Sequence, residues 1–251
     1  MSAALICAGG GIGRGTGQIT PVPTTDCPKL EDPLANRPPP PVEACTETGL
    51  VIKGESKSLA PGTYCGGLII TGGSEVSLME GIYVIKDGPL VVNGGSTLKG
   101  VYTGLYFTGT GADMTFEKES TISLSAPKSG PMAGLLIFQD RNILDSQATS
   151  KLGSLVAKIS KDATDSVKPL KYEVSSDNAS ILLGTIYLPK GRFYAGGTNP
   201  VGAQSTYTII VAYQINAESG PSLILNSNYE LSDVPVPKGL GNLSNKVALE
   251  K

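Results

Sequence analysis

Short apolar runs separated by glycine-rich corners fill the chain from about residue 50 onward. The runs are strand-length and rich in β-branched and aromatic residues, which is typical of β-strands. They are almost continuously apolar rather than alternating, which indicates buried strands in parallel pairing. They lie at residues 67–70, 82–85, 90–92, 105–107, 134–138, 181–188, 207–213 and 223–225. The pattern therefore predicts an all-β domain built from many short strands.

The triplet Gly-x-Tyr recurs at one fixed interval, beginning at residues 62, 81 and 100. A repeat of about twenty residues is shorter than the ~33–47 residues of most helical solenoids, and it fits a parallel β-helix or a leucine-rich repeat. The leucine-rich consensus is missing. In a β-helix, equivalent positions of successive coils stack about 4.8 Å apart, so a glycine corner in one coil is needed again in the next. The members of this structural repeat are Gly62, Tyr64, Gly81, Tyr83, Gly100 and Tyr102, and the three tyrosines are expected to form a ladder.

We therefore predict a right-handed parallel β-helix, a single-stranded solenoid, with a β-sandwich as the alternative. The expected organisation is a Gly/Pro-rich N-terminal segment at 1–50, a β-helix domain at 51–237 and a C-terminal tail at 238–251. Residues 142–178 are expected to be an insertion with a short helix that covers an open end or flank of the solenoid. The helix is predicted from the i, i+3, i+4, i+7 spacing of Leu152, Leu155, Val156 and Ile159.

All four cysteines lie in the first quarter of the chain, at Cys7, Cys27, Cys45 and Cys65. None forms a C-x-x-C pair, so the spacing of a zinc site is not present. An even number of cysteines in a glycine-rich and proline-rich region indicates two disulfides and an oxidising compartment. Four cysteines allow three pairings, and their spacing does not choose among them.

The composition argues against several classes of function. The net charge is −2 and no run of Lys or Arg occurs, so no nucleic-acid or anionic-membrane surface is visible. Histidine is absent, which removes the commonest general base and the commonest metal ligand. No apolar run reaches the ~18–20 residues of a membrane span, and no secretory signal is recognisable, so we expect a mature or excised piece of a secreted protein. We expect no enzyme activity and no cofactor.

Two groups of charged residues are candidates for chemistry, and each has a simpler structural interpretation. Asp140 and Arg141 are adjacent, which is more typical of a surface ion pair than of a catalytic site. Asp113, Glu117 and Glu119 are close enough in sequence to bind calcium. A solvated face is the favoured interpretation of these carboxylates.

Two further pairs resemble catalytic motifs only superficially. Ser125 and Lys128 have the S-x-x-K spacing of Ser-Lys chemistry, but Pro127 interrupts the helix on which that spacing works. Asp177 and Asn178 precede an apolar run and are typical of a turn. The sequence therefore predicts no catalytic, cofactor-binding or metal-binding residue.

Several strings along the chain are similar to one known family. They lie at residues 59–68, 81–90, 124–128, 182–191, 225–229 and 234–237, with two shorter strings at 26–28 and 32–35. Together they resemble the C-terminal region of TadG-like proteins of the Tad (Flp) pilus-assembly system. The resemblance covers nearly the whole chain, and its motifs are structural. Relatives usually carry an N-terminal membrane helix, and many have a von Willebrand A-like region, neither of which is recognisable in these residues.

This resemblance implies a non-enzymatic structural or adhesive domain of a Tad-type pilus-assembly protein in the bacterial cell envelope. It implies a periplasmic or extracellular location, membrane-anchored in the full-length relative, and other pilus-assembly or envelope proteins as partners. Parallel β-helices also often host enzymes acting on acidic polysaccharides, so a surface glycan is a second candidate partner. A carbohydrate-binding or polysaccharide-lyase-like β-helix is therefore the alternative function.

Overall fold

A computed structural model describes residue 22 and residues 31–143, 169–217 and 223–240. The chain divides into two compact units, one formed by Met1–Pro38 with Pro237–Lys251 and the other by Pro39–Val236. In the described part of the first unit, the backbone N–H of Leu34 donates to the carboxylate of Asp32 at 2.9 Å within a turn. The second unit contains all of the β-strands named below.

The second unit is built from short parallel strands. They are β1 (Cys45–Lys53), β2 (Ser56–Leu59), β3 (Gly62–Thr71), β4 (Glu75–Leu78), β5 (Gly81–Lys86), β6 (Leu90–Val92), β7 (Thr97–Gly100), β8 (Thr103–Thr108), β9 (Met114–Phe116), β10 (Thr121–Ser125), β11 (Leu135–Gln139), β12 (Lys171–Val174), β13 (Asn178–Ala195) and β14 (Thr208–Ala217). A 3-10 helix, Tyr229–Leu231, follows β14.

The strands wind into a parallel β-helix of about seven coils, as the sequence predicts. The first face consists of β5, β8 and β11 with the first halves of β1, β3 and β14 and the middle of β13. The second face consists of β6, β9 and β12 with the last parts of β1, β3, β13 and β14. The third face consists of β2, β4, β7, β10 and the start of β13. Every pair of these strands is parallel, so the β-sandwich alternative was wrong.

Columns of apolar side chains, one from each coil, fill the interior. One column on the second face runs in register through Leu50, Leu68, Leu90, Met114, Tyr172, Phe193 and Ile215. Its five inner members, from Leu68 to Phe193, are at most 2% exposed. Full burial of one such apolar side chain stabilises a fold by about 1.5–3 kcal/mol. The stacked columns therefore explain why the same apolar runs recur along the sequence.

The length of a coil varies, so the prediction of one constant interval was wrong. On the third face, Ser56 pairs with Glu75, Glu75 with Thr97, and Thr97 with Thr121. The coils therefore lengthen along the chain from 19 residues to 22 and then to 24. Additional residues are accommodated at the corners, where the backbone leaves one strand before it enters the next.

Two tyrosines of the predicted ladder stack, but they are not register partners, since Tyr83 pairs with Gly62 and Tyr64 with Ile85. The third tyrosine does not join them. The rings of Tyr64 and Tyr83 stack inside the solenoid with centroids 5.9 Å apart. The register partner of Tyr83 in the next coil is Leu105 rather than Tyr102. Tyr102 has a left-handed backbone φ of +58° and lies just before β8 begins, whereas Tyr83 lies inside β5. The longer coil thus moves the third triplet out of the strand and into the corner.

The inward tyrosines close the corners that precede them. The Tyr64 hydroxyl donates to the carbonyl of Ala60 at 2.7 Å. The Tyr83 hydroxyl lies 2.8 Å from the carbonyl of Met79, again four residues back. Gly81 has a φ of +141°, and a Cβ there would lie 2.7 Å from the Pro61 side chain. The predicted need for glycine at this corner is confirmed by both its conformation and its lack of space.

The described residues test only part of two predictions, that of two disulfides and that of an insertion at 142–178. Cys45 and Cys65 form a disulfide that joins β1 to β3, while Cys7 and Cys27 lie outside the described residues. Within 142–178, β12 pairs with β9 and β13, so this part of the predicted insertion is a strand of the solenoid. The helix predicted around residues 152–159 lies outside the described residues.

Candidate functional site

The outward side of the third face carries a regular array of polar residues, here called the polar face. Strand β4 alternates exposed and buried positions, and β7 and β10 follow the same alternation in part, so every second residue points outward. The outward residues form one column of Ser56, Glu75, Thr97 and Thr121 and a second column of Ser58, Ser77, Lys99 and Ser123. Hydroxyl and charged groups therefore recur at the strand spacing of ~4.8 Å.

Two shallow grooves lie side by side on the polar face and share Ser77. The larger, of about 430 Å³, is lined by Ser77, Leu78, Glu80, Lys99, Gly100, Val101 and Tyr102. The smaller, of about 280 Å³, is lined by Ser56, Lys57, Ser58, Glu75 and Ser77. Both offer ammonium, carboxylate and hydroxyl groups to a polar ligand. Val101, which is 61% exposed, adds an apolar edge to the larger groove.

Tyr102, at the end of the larger groove, forms a cluster with Lys128 and Asp233. Its hydroxyl donates to the Asp233 carboxylate at 2.9 Å. The Lys128 ammonium lies 2.5 Å from the same carboxylate oxygen and 4.0 Å from the centre of the Tyr102 ring. The hydrogen bond from Lys128, then that from Tyr102, lowers the pKa of Asp233, and the bond to Asp233 raises the pKa of Lys128. The cluster ties the segment around Asp233 to the corner beside the groove.

Buried serines mark the opposite border of the polar face, where the chain enters β4, β7, β10 and β13. They are Ser74, Ser96, Ser120 and Ser176, each at most 1% exposed. The Ser96 hydroxyl accepts the Ser74 N–H at 3.1 Å, and the Ser176 hydroxyl donates to the Ser120 carbonyl at 2.5 Å. These bonds join successive coils and fix where the third-face strands begin. Sequence reasoning missed this ladder, although Gly-Gly-Ser at 72–74 and at 94–96 repeats with the 22-residue step.

The outward side of the first face is aromatic and buried, unlike the polar face. Tyr106, Phe138 and Tyr187 lie in register, are at most 2% exposed, and meet edge to face with 5.3 Å between successive centroids. The Arg141 guanidinium lies 5.4 Å from the Phe138 ring centre and 5.1 Å from that of Tyr187. Burial, with the charge of Asp140 second, raises the pKa of Tyr106 to about 12. These groups pack the flank of the solenoid and offer no open surface.

Asp140 and Arg141 have structural contacts on this flank. The Asp140 carboxylate accepts the Thr108 hydroxyl at 2.7 Å and the backbone N–H of Asn142 at 2.9 Å. Asp140 therefore organises the turn after β11, and Arg141 covers the aromatic rings. Neither residue lines a groove of the polar face.

Ser125 and Lys128, which have the S-x-x-K spacing, bond to different partners. The Ser125 hydroxyl accepts the backbone N–H of Tyr102 at 3.0 Å, while the Lys128 ammonium bonds Asp233.

Asp177 has the turn role that its position indicates. Its carboxylate accepts the backbone N–H of Thr198 at 2.7 Å and the Thr198 hydroxyl at 2.9 Å, and these bonds lower its pKa.

The remaining acidic candidates lie around a corner of the second face. Glu117 and Glu119 are exposed there, whereas Asp113 is half-buried just before β9. Among the residues that the structure describes, no group of three or more His, Cys, Asp or Glu side chains is arranged to hold a metal ion. In the same described ranges, no helix is long and apolar enough to cross a membrane.

Comparison with protein-family models, with curated proteins and with solved structures found no match to this chain.

Proposed function

We propose that this chain is a non-enzymatic structural or adhesive domain that makes its contacts through the polar face. The observation that carries the proposal is the shape of that face, where two shallow, adjoining grooves cross several coils. A broad surface of this kind suits contact with an extended partner better than the enclosure of one small substrate, because small-molecule sites bury most of their ligand. The Lys and Glu side chains would set the orientation of that partner.

The setting that we propose is Tad-type pilus assembly in the bacterial cell envelope, in the periplasm or outside the cell. The resemblance to TadG-like proteins supports the pilus assignment. The Cys45–Cys65 disulfide supports an oxidising compartment, because disulfides persist there and are rare in reducing ones. Other pilus-assembly or envelope proteins are the partners that this setting implies.

Carbohydrate binding is the second candidate function, and the larger groove favours it. Hydroxyl and charged groups from Ser77, Glu80 and Lys99 line this groove beside the ring of Tyr102. Aromatic rings with polar tips suit contact with ligands that have both apolar and polar surface. A surface glycan would then occupy the groove that a protein partner occupies in the first proposal.

Binding to purified Tad pili tests the proposal directly. The full chain is immobilised and exposed to pili sheared from a Tad-piliated bacterium, and in parallel to a panel of anionic polysaccharides. We expect saturable binding to the pili and no consumption of any polysaccharide. The double variant Ser77→Glu with Lys99→Glu places negative charge in both grooves, and we expect it to weaken pilus binding at least about tenfold, which corresponds to about 1.4 kcal/mol.

Lys190→Glu provides the control, because Lys190 is an exposed lysine at the corner between the first and second faces. This variant is expected to bind like the unmodified chain. Saturable binding to one polysaccharide that the double variant loses would move the assignment to the carbohydrate-binding alternative. Turnover of a polysaccharide would contradict the non-enzymatic proposal, and absence of pilus binding would contradict the pilus assignment.

A further inference from the structure

The last coil of the solenoid leaves part of its core open. Ile215 is the final member of the core column on the second face and lies in register with Phe193. Phe193 is fully buried, whereas Ile215 is 51% exposed. The neighbouring Tyr213 is 66% exposed. The second half of β14 therefore exposes two large apolar side chains at the point where a further coil would continue the column.

The β14 strand also has an edge that is free beyond its first residue in the described part of the chain. It pairs with β13 along one side, and on the other side the N–H of its first residue, Thr208, donates to the Asn226 carbonyl at 3.1 Å. Beyond Thr208, no other named strand pairs with that second side. Its sequence, TIIVAYQINA, contains neither a charged residue nor a proline. Charges and prolines are the usual features that stop an edge strand from pairing with another chain. The edge is therefore suited to the addition of a strand.

The strand β1 presents the matching edge at the other end of the solenoid. It has nine residues against ten in β14, and both strands cross from the first face to the second. Among the named strands, β1 pairs only with β3, to which the disulfide from Cys45 fixes it. Val51 in β1 points outward and is 54% exposed. Because every strand of the solenoid runs in the same direction, β1 continues the parallel order that β14 ends.

We propose that the β14 edge of one copy of this chain pairs in parallel with the β1 edge of a second copy, so that copies associate head to tail. Continuing the observed register places Leu50 of the second copy on Ile215 and Val51 beside Asn216. This contact covers the open end of the core column with an apolar side chain. A head-to-tail contact uses two different surfaces, so it produces an open-ended series of oligomers. The inference is independent of the polar face and of the pilus assignment.

Blocking each edge separately tests the proposal on the full chain. Tyr213→Lys puts a charge on an exposed position of β14, and Val51→Lys does the same on β1. In sedimentation velocity over a concentration series, we expect the unmodified chain to form dimers and longer oligomers. Each variant alone should remain monomeric at concentrations where the unmodified chain associates. An equimolar mixture of the two should form dimers and nothing longer, because each copy then keeps one usable edge.

Thr97→Lys is the control, since it adds the same charge to the polar face, and it should associate like the unmodified chain. The register is tested by cross-linking a copy with Val51→Cys to a copy with Asn216→Cys, because neighbouring positions on paired strands are within reach of a disulfide. Monomers at every concentration would overturn the proposal. Closed dimers that cross-link through two Asn216→Cys copies would also overturn it, because they would show antiparallel pairing of β14 with itself.

Discussion

The corners at residues 81–83 and 100–102 carry the same Gly-x-Tyr triplet but place the tyrosine in different surroundings. In the first corner, Tyr83 is fully buried and its hydroxyl closes the turn against the Met79 carbonyl. In the second, Tyr102 is half-buried against the edge of the core, lines the larger groove and bonds Asp233. The triplet thus specifies a turn, while the register of the following strand decides how deeply the tyrosine is buried.

The two tyrosines differ because side chains alternate between the two sides of a β-strand with a period of two residues. A shift of one residue moves a side chain from the core to the surface, so a small change in coil length decides whether that side chain is buried or exposed. Leu105 takes the core position in the coil after Tyr83, and Tyr102 is left in the corner with a φ of +58°. One triplet therefore serves packing in one coil and a surface site in the next.

Removing each tyrosine gives the largest expected difference between the two corners. Tyr83→Ala should lower the free energy of unfolding by about 3–5 kcal/mol, because it empties a buried aromatic site. Tyr102→Ala should lower it less, by about 1–2 kcal/mol, because its ring is only half-buried and its hydroxyl bonds an exposed carboxylate. Denaturant unfolding of both variants measures the difference. Equal losses would contradict the assignment of one tyrosine to the core and the other to its edge.

Adding a side chain at Gly81, in the first corner, should have the next largest effect on stability. Gly81→Val should destabilise the fold by about 1–3 kcal/mol, because its side chain would overlap Pro61 and the backbone is left-handed. Gly73→Val is the comparison and should destabilise the fold less, because Gly73 also has a positive φ but a Cβ there meets no atom within 4 Å. The melting temperature of both variants provides the measurement. An unchanged melting temperature for Gly81→Val would show that the corner is not as tight as described.

Deleting only the hydroxyl groups sharpens the comparison further. Tyr83→Phe removes a hydroxyl that lies 2.7 Å from the Leu59 carbonyl and 2.8 Å from the Met79 carbonyl. Because the Leu59 carbonyl keeps the Met79 N–H as a donor, the expected loss is about 0.5–1.5 kcal/mol. Tyr102→Phe removes a bond to an exposed carboxylate and should change the free energy of unfolding by no more than about 0.5 kcal/mol. Denaturant unfolding at neutral pH compares the two variants. A larger loss from Tyr102→Phe would reverse the proposed roles of the two hydroxyls.

The smallest effect is expected at Asp233, and it should depend on pH. The pKa of Asp233 is lowered in the folded chain, so its contribution to stability is present above the unfolded value of ~3.9 and is lost as the pH falls through the lower folded value. The pKa of Lys128 is raised, so its contribution is present below ~10.4 and is lost as the pH rises through the folded value. A small difference in melting temperature between the unmodified chain and Asp233→Asn should therefore exist at neutral pH and disappear in acid. A difference that grows in acid would contradict the ion pair.

Much of the fold follows from the sequence because apolar runs determine buried strands. The runs at 82–85 and 105–107 predict the strands that the structure places in β5 and β8. The polar face was harder to predict, because its strands have only four or five residues and their alternation is too short to stand out. The Tyr102–Asp233 bond joins residues 131 positions apart, and no local pattern carries such a contact. The pairing of Cys45 with Cys65 likewise depends on how the coils stack.

The 22-residue step from β4 to β7 aligns Ser77 with Lys99 at the centre of the polar face. Disulfide formation between introduced cysteines measures that alignment directly, because paired positions on neighbouring strands lie within the range a disulfide can bridge. We predict that the double variant Ser77→Cys with Lys99→Cys forms an intramolecular disulfide under mild oxidation. The double variant Ser77→Cys with Ser96→Cys has the constant 19-residue spacing and should remain reduced. Rapid cross-linking of the second pair and none of the first would contradict this register.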